Sequence, residues 1–273
     1  MTPPPSPSPI PLSILIRTHN EADRIGQTIE AALALGGEIV IIDAGSTDAT
    51  VAIATSLGAR VITNPWPGFG PQRYFGEDQC GHDFIFSLDA DEIVTPQMAA
   101  EIRAVFAQPN PPPLMTIRKA MIFPHWKHPP PLGFCHDQIL IYDRRMARTG
   151  PNPNWDKLDI SPDLPASSRK PHLITEPLWH FSLRDWNHAV AKWNYVAGLA
   201  ADTQKERPRA LLLMRLVIEF PWSFIKFYVL RRYFLGGADG FTMAVVTAFG
   251  RFLRIAKMLE RKDHRPPGQS KGP

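Results

Sequence analysis

Three acidic residues close a short apolar run: Asp89, Asp91 and Glu92 follow FIFSL at 84–88. Asp-x-Asp in an extended loop puts two carboxylates within reach of one hard divalent cation. Such a cation, Mg²⁺ or Mn²⁺, bridges the phosphates of a nucleotide. The competing reading is an acidic loop ahead of a helix, because Thr95-Pro96 is a good helix entry. Two more polar clusters bear on the choice. Thr18, Asn20 and Glu21 follow the apolar run 12–16 (LSILI), and Asp43, Ser46 and Asp48 follow 39–42 (IVII). Asn20, Ser46 and Asp48 also suit helix caps. Acids gathered at several strand ends on one rim need more than capping, since their repulsion calls for a cation or for hydrogen-bond donors.

The elements that would position these groups are legible from periodicity. Ile25, Ile29 and Leu33 recur at four-residue spacing, which predicts an amphipathic helix with Asn20 as N-cap and Gly36-Gly37 as its stop. Val51, Ala54 and Leu57 predict a second helix ending at Gly58. Residues 60–64 read as a third strand, PWPGFGPQR as a loop, and the stretch to Cys80 as a short helix. Strands alternating with helices predict an α/β fold with a doubly wound, mainly parallel sheet. Ligands of such sheets bind outside the carboxyl ends of the strands, where all three clusters fall. Proline clusters at the start, at 109–113, at 129–131 and at the end mark linkers and tails. The expected division is a disordered tail at 1–11, two halves of one domain at 12–108 and 109–182, a helical extension at 183–262 and a second tail at 263–273.

The blocks RTHNEADRIGQTIEAAL, IVIIDAGSTDATVAIATSLGARVI, NPWPGFGPQRYFG and FSLDADEIVTPQMAAEI resemble the family 2 glycosyltransferases of the GT-A fold. They are most similar to the branch that includes lipopolysaccharide core glucosyltransferases. The resemblance is strong over about the first 110 residues and weaker beyond, and it makes 12–108 the expected nucleotide-sugar half and 109–182 the expected acceptor half of one domain. It implies an inverting transfer from a nucleotide-sugar, a UDP-sugar first, to a lipid-linked saccharide, with polyprenyl phosphate as the alternative acceptor. By the same resemblance Thr18, Asn20, Glu21 and Asp43 hold the nucleoside, and Asp48 and Arg73 line the same pocket. Asp89 and Asp91 face sugar and metal. Tyr74 stands where the family commonly has Asn, so no role carries over to that position.

Inversion needs one base to take the acceptor hydroxyl's proton. The related enzymes have an acid near NWDKLD, which makes Asp156 the expected base, with Asp137 and Asp159 behind it. WHFS at 179–182 resembles a family Leu-His-Tyr-Ser block. His180 there reads as a third metal ligand or a phosphate contact, and equally as a structural histidine. The histidines of HWKH and FCHDQ suggest zinc, but one nearby cysteine among prolines matches no closed site; an aromatic and basic acceptor loop or an ordinary surface loop fits instead.

From residue 183 the pattern turns helical, with Trp186, Val190, Trp193 and Val196 or Ala197 as one apolar stripe. Later helices interleave aromatics with Arg215, Lys226, Arg231, Arg232, Arg251 and Arg254, and these charges break any run that could span a bilayer. Such helices suit an anionic membrane surface, or packing against the sheet or a second copy of the chain. The expected location is cytoplasmic, on the inner face of the cell membrane. Two cysteines in 273 residues make no disulfide framework, and the net charge of +4 lies on apolar helices rather than in a polar groove, which argues against nucleic acid. There is no Gly-x-Gly-x-x-Gly turn after the first strand and no P-loop lysine. A haloacid-dehalogenase-like phosphohydrolase using Asp89 and Asp91 is the reading from another class. Ile93 in place of Thr or Val, and three strands ahead of the motif, count against it.

Overall fold

A computed structural model of the chain describes residues 8–203 and 207–263. Of the expected tails 1–11 and 263–273, residues 1–7 and 264–273 lie outside the described residues; Ile10 is tied down, its amide donating to Gly36 O at 3.1 Å, and Asp263 ends a helix and pairs with Arg209 at 3.0 Å. Two compact units are present, residues 1–121 with 135–182, and residues 122–134 with 183–273. The loop 122–134 thus belongs to the second unit, although the chain order places it inside the expected acceptor half.

The first unit opens with β1 (Leu12–Thr18), α1 (Ile25–Leu33), β2 (Glu38–Asp43), α2 (Thr50–Ser56), β3 (Arg60–Thr63), α3 (Phe69–Gln79) and β4 (Phe84–Asp89). It continues through β5 (Glu92–Ile93), α4 (Pro96–Phe106), β6 (Leu114–Met121), β7 (Cys135–Asp143), β8 (Ala147–Thr149), β9 (Leu158–Ile160) and β10 (His172–His180). The main sheet has the order β3-β2-β1-β4-β7-β6-β10-β5. β3, β2, β1 and β4 run parallel, β7 is antiparallel to both neighbours, and β6 pairs parallel with β10. This is the α/β, mainly parallel sheet that the strand-helix alternation predicts, with β7 and the short edge strand β5 antiparallel to their neighbours.

Alternation along the strands sends side chains to two cores. Ile14, Ile16, Phe86 and Leu88 meet α1 and α4 on one face. Leu15, Ile42, Ile85 and Tyr142 meet Phe75 and Cys80 of the α3 region on the other. Both cysteines are free thiols, and burial pushes Cys80 up to about 12.

Helix entries differ in part from the sequence expectation. Thr95 caps α4 as predicted, its hydroxyl accepting from Met98 N at 3.1 Å. Asn20 does not cap α1. It sits in the left-handed region with φ 53°, and α1 starts only at Ile25. Leu33 is exposed, because Ile25, Thr28, Ile29 and Ala32 form the buried stripe. α3 begins inside the predicted loop, at Phe69, which places Arg73 on a helix.

α3 is held by Glu77, which has no solvent exposure. Its carboxylate accepts from Tyr142 Oη at 2.6 Å, Thr149 Oγ1 at 2.6 Å, Thr149 N at 3.0 Å and Arg148 Nε at 3.0 Å. One buried charge therefore ties α3 to β7 and β8.

The second unit contains α5 (Trp186–Thr203), α6 (Arg209–Ile225) and α7 (Gly237–Asp263). α5 buries Ala189, Ala197, Ala200 and Ala201, while Val190 is exposed. Of the expected stripe Ala197 is buried and Trp186, Trp193 and Val196 are partly so, while the other buried positions are small alanines that the stripe did not include. Ala201, Leu212, Ile255, Met258 and Leu259 form the core of this unit. The loop 122–134 joins it through Trp126 Nε1, which donates to Asp239 at 2.8 Å, and through Phe123 edge-on to Tyr233.

Truncating one partner of a buried, hydrogen-bonded charge leaves its donors uncompensated, at a cost of roughly 3–5 kcal/mol. Glu77→Ala is expected to lower unfolding stability by about that amount in a urea titration; a loss below about 1 kcal/mol would contradict the role given to Glu77.

Candidate active site

Register brings the first polar residues together. Thr18 pairs with Asp43, and Asp43 with Thr63, at the carboxyl ends of β1, β2 and β3. Arg17 pairs with Asp89 across β1 and β4. Strand pleating puts Arg17 and Asp89 on the face that α3 covers.

The loops after β1 and β2 are stitched to each other. Asn20 N donates to Ser46 Oγ at 2.8 Å, and Thr47 N to Asn20 Oδ1 at 2.8 Å. Glu21 N donates to Thr50 Oγ1 at 2.8 Å, and Ala22 N to Asp48 Oδ2 at 3.1 Å. The left-handed backbone of Asn20 is what lets both its amide and its side chain face the second loop, and Asn tolerates that conformation well. Asp43 is buried and accepts from the amides of Gly45 and Ser46 at 2.9 Å each, and from the Ser46 hydroxyl. Asp48 accepts from the amide and hydroxyl of Thr50 and so closes the start of α2; the Thr50 hydroxyl holds the Asp48 carboxyl below its ordinary value.

Beside this network lies a cluster of two arginines and two carboxylates. Arg17 Nη2 reaches Asp89 Oδ1 at 2.8 Å and Asp156 Oδ2 at 2.9 Å. Arg73 Nη2 reaches the same two oxygens, each at 3.1 Å. Burial opposes ionisation of Asp89, yet Arg17 and Arg73, with Lys119 behind them, hold its carboxyl well below the usual carboxylate range. Burial likewise opposes the Arg73 charge, and Asp89 and Asp156 more than restore it. The Nε of both arginines is buried without a protein acceptor among the described residues, so each guanidinium has donor capacity unspent.

Asp156 arrives there from a distant loop because α3 starts on glycines. Gly68 has φ 118° and lies against Pro153, where a Cβ would come within 2.6 Å of backbone. A Cβ on Gly70 would meet Gly150 O at 2.3 Å. With neither Cβ present, Phe69 N donates to Pro153 O at 2.8 Å and Gly70 N to Asn152 O at 3.1 Å. The loop is therefore laid along the first turn of α3, directly beside Arg73.

The turn after β4 is braced separately. Glu92, fully buried, accepts from Asp89 N at 2.9 Å and pairs with Lys119 Nζ at 2.5 Å. Burial works against the Lys119 ammonium, and the Glu92 carboxylate raises its pKa in spite of that. Thr28 of α1 donates to Ala90 O at 2.8 Å. Short β5 pairs antiparallel with the end of β10, and Phe181 N donates to Asp91 O at 2.9 Å. These contacts bring His180 Nε2 to 3.5 Å from Asp91 Oδ1. Burial disfavours protonated His180, but the hydrogen bond it donates to the Asp91 carboxylate raises its pKa overall. Arg24 stands 3.8 Å from Asp91 and binds Glu21 at 2.6 Å.

The expected metal set is only partly assembled. Asp91 and His180 are adjacent, but Asp89 is turned to the arginines. Among the described residues no group of three His, Cys, Asp or Glu side chains is placed to hold an ion by itself. Of the three candidate bases, Asp156 meets the Asp89 cluster, whereas Asp137 is half exposed beside Arg118. A cavity of about 870 Å³ adjoins the cluster, lined by Arg73, Gln138, Asn152, Trp155, Asp156 and Asp159 among others. Tyr74 is exposed, with Arg148 stacked 4.0 Å from its ring centre.

Arg17, Glu77 and Lys119 are absent from the sequence reading of the site, and Glu92 enters it only as the third acid after β4. Only Arg17 carried a usable signal: it immediately precedes Thr18 at a strand end, in register with an acid. Lys119 lies mid-strand on β6, where sequence separation hides its partner.

Residues 13–149, half of the chain, match the family described as Glycosyl transferase family 2. An uncharacterized glycosyltransferase of Rickettsia felis is 33% identical over 254 residues, covering 91% of this chain and 89% of its own. The lipopolysaccharide core biosynthesis glycosyltransferase LpsC of Rhizobium meliloti is 27% identical over 262 residues, covering 92% of this chain and 93% of its own. A solved glucosyl-3-phosphoglycerate synthase from Mycobacterium tuberculosis overlaps 42% of this chain and 45% of its own at 22% identity, with a TM-score of 0.34, too slight to bear on this chain's chemistry. The phosphohydrolase alternative is set aside, because the Asp89 and Asp91 motif lies within the matched region and Asp89 is bound by two arginines: this chain is a glycosyltransferase of family 2.

Proposed function

We propose that this glycosyltransferase moves a sugar from a nucleotide-sugar, a UDP-sugar, to a lipid-linked saccharide, with inversion at the anomeric carbon. The observation that carries the reading is the pair of arginines shared between Asp89 and Asp156 at the rim of β1 and β4, opening on the 870 Å³ cavity. Thr18, Asn20, Glu21, Asp43, Ser46 and Asp48 form the nucleoside end, where two hydrogen-bonded loops make a rigid shelf. Arg17 and Arg73 form the charged end, suited to an anionic diphosphate and its sugar. The cavity beyond them takes the acceptor, with the half-exposed Trp155 ring as a surface for a sugar face.

Asp91 and His180 offer one carboxylate and one imidazole. These two side chains would hold a Mg²⁺ or Mn²⁺ ion beside the donor. When bound, such an ion neutralises charge on the departing nucleoside diphosphate. The chain's own groups do the rest. Asp156 takes the proton from the acceptor hydroxyl as that oxygen attacks the anomeric carbon. The bond from that carbon to the diphosphate breaks on the opposite face, and UDP leaves with the bonding pair. Arg17 and Arg73 hold Asp156 beside the sugar and offset the charge developing on the leaving group.

The acceptor class is supported by LpsC, a relative of nearly equal length whose name places it in lipopolysaccharide core biosynthesis. A lipid-linked acceptor puts the enzyme at the inner face of the cell membrane, bound peripherally. Among the described residues no helix is long and apolar enough to cross a membrane.

Calorimetry with UDP and GDP, with and without Mn²⁺, tests the donor. Binding of UDP that needs Mn²⁺ and weakens about tenfold or more in Asp91→Ala is expected; no binding of either nucleotide would end this reading. Asp156→Asn should keep UDP binding and lower kcat by about 10²–10⁴, the usual range for a lost general base. If kcat stays within about threefold of the parent enzyme, Asp156 is not the base and Asp159, on the same cavity, becomes the residue to replace.

A further inference from the structure

α6 and the wider turn that continues it over residues 226–230 bury a carboxylate beside Leu212 and Phe227, and turn an apolar stripe outward. Met214, Val217, Ile218, Trp222, Ile225 and Val229 recur at three- and four-residue steps, so they form one stripe along the helix. Every one is exposed, Val217 at 76% and Trp222 at 56%. Glu219, on the opposite side, is only 7% exposed. It pairs with Arg215 at 2.6 Å and Arg254 at 3.0 Å, and Arg251 lies at 3.8 Å. A helix of a water-facing surface has the reverse polarity, with apolar residues in and charges out. Here the fold spends a buried carboxylate and its arginines on the inner side while a continuous apolar face is left outside.

The charges around that face indicate what covers it. Within residues 210–232 Glu219 is the one acid, and it is turned inward. Lys226 and the exposed Arg232 stand at the end of the stripe, so its border is cationic. A second copy of the chain docked face to face would bring those cations together with no acid on the face to pair them. Anionic lipid headgroups would pair them.

The depth follows from Pro221. It leaves the carbonyl of Val217 without its usual donor four residues on, and Val217 is the most exposed residue of the stripe. Hydrocarbon cannot satisfy that carbonyl, whereas headgroups and interfacial water can. We infer that α6 is an in-plane membrane anchor, its Val217–Trp222 face seated at the headgroup boundary of an anionic leaflet. The inference deepens the lipid-linked acceptor reading, and its test reads lipid binding rather than transfer.

The full chain is mixed with phosphatidylcholine vesicles, with and without phosphatidylglycerol, and floated on a density gradient. Binding that strengthens with phosphatidylglycerol and falls about tenfold or more in Val217→Glu is expected. Tyr195→Glu, exposed on α5, should bind like the parent. Circular dichroism and UDP binding report whether Val217→Glu is folded. If it is not, brominated lipid is used instead, and the quenched fluorescence should shrink in Trp222→Phe. Equal flotation of Val217→Glu and the parent, or equal quenching with and without Trp222, overturns the inference. So does a dimer in solution that Val217→Glu dissociates while no vesicle binds. Failed UDP binding with flotation intact would count against the donor reading alone.

Discussion

Two guanidinium groups side by side repel, and so do two carboxylates; the rim of this sheet is stable because the four alternate. Arg17 and Arg73 each touch one oxygen of Asp89 and one of Asp156, so neither acid nor base stands unpaired. The four come from β1, α3, β4 and a loop between β8 and β9. Much of the first unit can be understood as the means of holding those four segments in place. Parallel register aligns Arg17 with Asp89, Glu77 clamps α3 to β7 and β8, and two glycines let the Asp156 loop lie on the first turn of α3. Each guanidinium keeps its buried Nε free of a protein acceptor among the described residues, so the cluster is neutral, interlocked and still has donor capacity to spare.

The acidic turn after β4 is stiffened from beneath in a different way. Glu92 has no solvent exposure, yet it carries the Asp89 amide and the Lys119 ammonium together. A buried pair of this sort adds little to net stability, because desolvation offsets most of its attraction. Its value is geometric. Asp89 and Asp91 are separated by one residue, and the turn sends the first toward the arginines and the second toward His180. Glu92 and Thr28 grip the backbone on either side of that turn.

The helical unit obeys the same rule of paired charges with the opposite result at its surface. Glu219 sits among its arginines on the inner side of α6, beside the buried Leu212, and Val217 and Trp222 stay outside. The two units thus place their buried charges differently, one at the rim of a sheet and one behind an exposed apolar face.

The primary structure alone determined the alternation of strands and helices, the stops at Gly36 and Gly58, the cap at Thr95 and the family. Those features depend on local periodicity and backbone preference, which neighbouring residues carry. It also determined that acids follow β1, β2 and β4, since strand ends are visible as apolar runs. Only the tertiary structure decided what each acid touches. Asp89 and Asp91 look equivalent as Asp-x-Asp, and the fold gives one to Arg17 and Arg73 and the other to His180. Asn20 looked like a cap and instead takes a left-handed turn, because the second loop offers Ser46 and Thr47 as partners. Glu77 and Lys119 had no local signature, for their partners lie far along the chain. The outward stripe of α6 has an ordinary amphipathic sequence. Which side of it faces in was set by three arginines around Glu219, two of them contributed by another helix.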